Sequence, residues 1–154
     1  MRHLVITTLL LCAALIRCGH GPDGNSGGDG KRNEAVEIPL ETWITDETGV
    51  NYGGGDRTDW KKIVVPRDGT IHVDVAVDEK DAAIIVALYD RYGHKLIEKM
   101  KARGTTDHVK FEGDVGKGKY FIQILAKDSE DKSVYQVWAS MEGGAGIGDI
   151  PPPE

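Results

Sequence analysis

Between residues 46 and 59 the chain reads DETGVNYGGGDRTD, and Asp46, Glu47, Asn51, Asp56 and Asp59 bring five carboxylate or amide side chains into that short span. A calcium ion takes roughly six to eight oxygen ligands, commonly from flexible acidic loops. The stretch is therefore a candidate calcium site, and its alternative is an acidic loop that faces water. The spacing is not that of an EF-hand. Trp43, Tyr52 and Trp60 flank the same loop, and Tyr92 lies in a second turn at DRYG. Loop aromatics can stack on sugars or peptides. Nucleophilic catalysis has weaker candidates. Ser26, Ser129, Ser133 and Ser140 stand outside any Gly-x-Ser-x-Gly elbow, and His20, His72, His94 and His108 lack metal-ligand spacing. NYGGGD lacks the lysine and following helix of a phosphate loop. These residue types point to a binding protein and away from an enzyme.

The elements that must position these groups begin after a leader. MRHLVITTLLLCAALIRC has a basic start and an apolar run from Leu4 to Ile16. That run is shorter than the roughly 20 apolar residues of a membrane span and fits a secretory signal at 1–18. LIRC at 15–18 resembles the lipobox of bacterial lipoproteins, with Arg17 where a small residue is usual. The resemblance makes Cys18 the lipidation site and the membrane a partner through that lipid. Secretion into the periplasm or medium is the alternative. The Gly-rich stretch at 19–34 reads as a tether, and the Gly/Pro-rich 143–154 as a tail. Both cysteines, Cys12 and Cys18, precede the tether, so the domain between has no disulfide. Net charge is −6 for the whole chain; losing 1–18 removes Arg2 and Arg17 and gives −8. With lysine and arginine scattered, this excludes a general nucleic-acid binder.

From 35 to 142 the pattern is β-rich and cut by turns. Candidate strands are 36–44, 60–66, 70–77, 83–90, 94–100, 107–112, 119–127 and 133–141. NYGGGD, PRDG, DEKD, DRYG, ARGTT, GDVGKG and KDSEDK separate most of them. In TIHVDVAV, Ile71, Val73, Val75 and Val77 share one face while His72 and Asp74 share the other, a half-buried strand. About eight such strands predict an antiparallel β-sandwich or barrel. GKYFIQILAK and SVYQVWAS read as a hairpin with Ile124 opposite Tyr135, Ile122 opposite Val137 and Phe121 opposite Trp138. That register places Phe121, Leu125, Val134 and Trp138 together on an outer face. Such a face is either covered by AVEIPLETWI or the tail, or it is an interaction surface.

The strands resemble, over about 56–141, the bacterial pre-peptidase C-terminal domain. The resemblance rests on GDRTDWKKIVV, GTIHVDVAV, IIVALYDRYGHKL with its Leu-Tyr-Asp-x-x-Gly hairpin, and GKGKYFIQILA followed by VYQVWAS. It implies an all-β, jelly-roll-like antiparallel β-sandwich and an exported, non-catalytic binding or accessory module at the cell envelope. In some relatives it also implies calcium held before and around the opening strand. Lys61 departs from the pattern, since an aromatic residue is usual there. The expected interaction surface is Phe121, Leu125, Trp138 and Tyr92, with a protein or glycan as partner and calcium as the one cofactor considered.

Overall fold

The computed structural model describes residues 28–49 and 56–142. The signal segment with Cys18, the tether up to 27, Asn51, Tyr52 and the tail at 143–154 lie outside the described residues. Among the described residues, nine strands follow a short 3₁₀ turn at Arg32–Glu34: β1 (Val36–Glu37), β2 (Ile44–Thr48), β3 (Thr58–Val65), β4 (Gly69–Val77), β5 (Ile84–Tyr89), β6 (Lys95–Lys101), β7 (Val109–Val115), β8 (Gly118–Ala126) and β9 (Ser133–Glu142). They form two sheets, ordered β1-β3-β8-β5-β6 and β2-β9-β4-β7. Every pairing is antiparallel apart from β1 with β3. This is the expected β-sandwich.

Period-two alternation builds the core. Ile63 and Val65, Ile71 to Val77, Ile84 to Leu88, Ile122 and Ile124, and Tyr135 to Ala139 turn their alternate apolar side chains inward, where the two sheets meet. Each such side chain, taken from water, stabilises the sandwich by about 1.5–3 kcal/mol.

Two expectations are corrected. The strand expected at 36–44 is two strands in different sheets. Ile38 still donates its N–H to Lys62 on β3, whereas Glu41, at φ 60°, donates to Ala139 on β9. Pro39, which has no N–H to give, lies in this crossing. The second correction concerns the last two strands. β8 pairs with β3 and β5, and β9 pairs with β2 and β4, so they are not a hairpin. Ile122, Ile124, Tyr135 and Val137 do face the core, but across the sandwich. Apolar alternation fits side-by-side and face-to-face burial equally well. The connection at 127–132 is long enough to span the roughly 10 Å between packed sheets. Phe121 and Leu125 therefore belong to the outer face of one sheet, and Trp138 to that of the other.

Polar groups pin the crossings. Buried Asp131 accepts from the N–H groups of Ala83 (2.8 Å) and Asp128 (2.8 Å) and from Arg103 Nε (2.8 Å), tying three connections together. Lys101 Nζ donates to the carbonyls of Glu79, Lys80 and Ala82 at 2.8–3.0 Å. The DRYG tip follows its turn chemistry: Asp90 Oδ1 accepts from the N–H of Tyr92 and of His94, and Gly93 takes φ 93°.

Candidate functional site

The outer face of the β2-β9-β4-β7 sheet carries an aromatic platform. Trp138 projects from central strand β9, and Trp43, just ahead of β2, stacks on it with ring centroids 6.2 Å apart and planes 28° from parallel. His108 meets Trp43 edge-on at 6.4 Å. Trp43 remains 45% exposed. A groove of about 1050 Å³ is lined by Trp138, His72, Asp74, Glu112, Ser140 and Glu142, among others. Strand pairing places these groups: His72 is the register partner of Glu112 on β7 and of Ser140 on β9, and Asp74 is that of Trp138. Asp74 in turn holds His108 Nδ1 at 2.7 Å and Lys110 Nζ at 3.0 Å.

Ser140, His72 and Glu112 thus lie in a row across three strands, the residue types of a hydrolytic triad. Their geometry is not that of a triad. His72 Nε2 lies 3.0 Å from Glu142 and Nδ1 lies 3.4 Å from Glu112, so both nitrogens face carboxylates. Ser140 sits within a regular ladder, where backbone N–H groups are used between strands and do not converge on an oxyanion.

The remaining residues of the expected surface lie elsewhere. Phe121 is on the outer face of the opposite sheet, with the Arg32 guanidinium 5.6 Å above its ring. Leu125, half-buried, shares that face, where Trp60 packs against Tyr89 at 5.1 Å. Tyr92 is 67% exposed at the hairpin tip, and Arg91 covers its ring at 4.7 Å. These positions do not form one patch with Trp138.

The acidic stretch at 46–59 is also rearranged. Asp59 and Lys61 fall on the inward face of β3, in step with Ile63 and Val65, and Asp46 falls on the inward face of β2. Glu47, the next residue on β2, points to the other side by alternation. Lys61, 1% exposed, donates from Nζ to Asp29 Oδ2 at 2.5 Å and to Asp46 Oδ2. Asp29 comes from the Gly-rich stretch before the domain, and its carbonyl accepts the N–H of Trp60 at 2.9 Å. Burial works against the Lys61 charge, but hydrogen bonds to the two carboxylates hold its pKa above the usual lysine value. Asp59 has no aligned hydrogen-bond partner for either oxygen. Burial first, and the Asp29 charge second, push its pKa up to about 8. The Tyr135 hydroxyl, pushed well above its ordinary range by burial and by Asp59 and Asp46, lies beside it.

The calcium expectation meets this geometry directly. A lysine ammonium, not an open space, stands between Asp29 and Asp46. Among the described residues no three histidine, cysteine, aspartate or glutamate side chains converge to hold a metal ion. Of the expected calcium ligands, Asp46 is taken by Lys61, Glu47 points to the opposite side of β2 and Asp59 lies in the core, so these three do not converge on one ion; Asn51 lies outside the described residues.

No family model and no curated protein matches the sequence. Solved structures do match. The pre-peptidase C-terminal domain of a collagenase from Bacillus anthracis aligns with a TM-score of 0.55 at 18% identity, over 69% of this chain and 94% of that one. The chain is similar in fold to a pre-peptidase C-terminal domain. A mitogen from Yersinia pseudotuberculosis follows with a TM-score of 0.46, 14% identity, and 75% and 97% coverage. A carbohydrate-binding module of Cellvibrio mixtus lichenase 5A aligns at 0.42, with 14% identity and 68% and 91% coverage. Nothing in the sequence marks Asp29 or the groove acids Glu112 and Glu142. Lys61 left a signal, as a lysine where the resemblance calls for an aromatic residue.

Proposed function

We propose that this chain is an exported, non-catalytic binding module of the bacterial cell envelope, lipid-anchored through Cys18, that holds a glycan on the Trp43–Trp138 platform. The carrying observation is that platform, a half-exposed tryptophan stacked on a second beside a groove lined by carboxylates and the His72 imidazole. Indole faces pack against the apolar faces of sugar rings, and Asp74, Glu112 and Glu142 can accept hydrogen bonds from sugar hydroxyls. The groove is large enough for a short oligosaccharide. The module fold and the signal-like leader support the envelope setting.

The test is a tryptophan-fluorescence or calorimetric titration with defined envelope polysaccharide fragments, comparing the parent with Trp43→Ala and Trp138→Ala. Loss of one stacking ring should weaken binding about 10- to 30-fold, the equivalent of roughly 1.4–2 kcal/mol. Circular dichroism would confirm retained fold. Equal affinity in all three proteins, or no binding of any glycan by the parent, sinks this reading. Capture of a protein that Trp43→Ala releases would replace the glycan with a polypeptide partner. Mass spectrometry of the mature N-terminus checks the anchor, and an unmodified Cys18 refutes it.

A further inference from the structure

Lys61 is an unusual occupant of a sandwich interior. A fully buried lysine costs several kcal/mol in desolvation and is tolerated only with close partners. Here the partners come from two separate parts of the chain: Asp46 lies across the sandwich on β2, and Asp29 lies in the segment that enters the domain. The ammonium lies between the Asp29 and Asp46 carboxylates and donates to both. Asp59 stands close enough for Lys61 to act on it electrostatically, and its carboxyl has no aligned donor. The side chains around the ammonium are thus oxygen donors, and the tyrosine ring of Tyr135 lies 6.0 Å away.

We propose that Lys61 is the resident cation of this domain: its ammonium stands where a divalent ion would bridge Asp29 and Asp46, so the fold needs no metal, and removing the amine turns the pocket into a divalent-cation site. The lysine then does two things that a metal would do. It neutralises carboxylates that the core could not otherwise bury together, and it fixes the entering segment to β3 through Asp29. Being covalent, it does so at any ambient calcium concentration. Its charge raises the cost of admitting a second cation.

The experiment compares thermal melting of the wild type, Lys61→Ala and Lys61→Met in chelator and in millimolar calcium or magnesium, with calorimetric titration of calcium into each. Wild type should melt at the same temperature in chelator and in calcium, and should show no binding heat. Lys61→Ala should melt lower in chelator, or fail to fold there, and regain about 5–10 °C, or its fold, at saturating calcium. Lys61→Met, which fills the space with an uncharged thioether, should be destabilised and gain nothing from the ion. Calcium binding or calcium stabilisation in wild type overturns the proposal by itself, whether or not the variants fold. A Lys61→Ala protein that neither binds calcium nor refolds with it overturns the claim that the amine fills a cation site.

Discussion

Replacing Asp59 with asparagine should uncouple stability from pH across the neutral range. The carboxyl is completely buried, and its pKa rises from 3.8 in the free side chain to about 8 in the fold. Between those values the folded protein keeps a proton that the unfolded chain has released. The stabilisation linked to that proton is complete below about pH 4 and is lost as pH rises towards 8. Each pH unit in that interval is worth about 1.4 kcal/mol, so Asp59 alone should remove about 2.7 kcal/mol between pH 5 and pH 7. At roughly 3–5 °C per kcal/mol for a domain near this size, the melting temperature should fall by about 10 °C. Asparagine has the shape of the protonated acid and does not ionise. The assay is calorimetric melting of parent and Asp59→Asn at half-unit steps from pH 5 to 8. The gap between them should widen in favour of the variant by about 10 °C from pH 5 to 7. Taking the difference cancels the titrating groups that are not coupled to Asp59. A gap that stays constant with pH would refute the protonated state assigned to Asp59.

Two further outcomes follow from the pinned connections. Asp131→Ala strips acceptors from Ala83, Asp128 and Arg103 and should cost about 2–4 kcal/mol in denaturant melts. Burial opposes ionisation of Asp131, but hydrogen bonds from Arg103, Ala83 and Asp128 outweigh it and hold the pKa below 3.8. The parent should therefore lose that contribution only as pH falls below this value, and the variant should lack that acid-limb loss. Gly49→Ala places a methyl 2.9 Å from the Lys132 backbone at φ 80°, so it should reduce stability by at least about 2 kcal/mol, read as a lower midpoint at unchanged m-value.

The inward and outward faces of β4, β8 and β9 were legible because alternation is a local property, and local sequence reports it directly. Partner choice was not legible. β8 and β9 present apolar stripes that match each other as well as they match β5 and β4, and only the surrounding strands decide between them. The site divides in the same way. Trp43 and Trp138 each read as notable aromatics, but their stacking joins positions far apart in the chain. Lys61 broke the family pattern, yet nothing in GNSGGDGK marks Asp29 as a buried counter-ion. Its role appears only when the entering segment is laid beside β3.

The route of the chain has a kinetic consequence. Among the described strands, only β5 and β6 are consecutive neighbours in one sheet; every other consecutive pair lies in opposite layers. Almost no contact can form early and locally, so the entropy of closing long loops precedes the reward of burial. Folding should be slow, in the millisecond-to-second range of high contact-order β proteins, and all-or-none. The DRYG hairpin is the one unit able to form ahead of the rest. Cutting away β1 to β3, or β9, would not leave a smaller stable sandwich, because β3 and β9, met early and late along the chain, each lie inside a sheet.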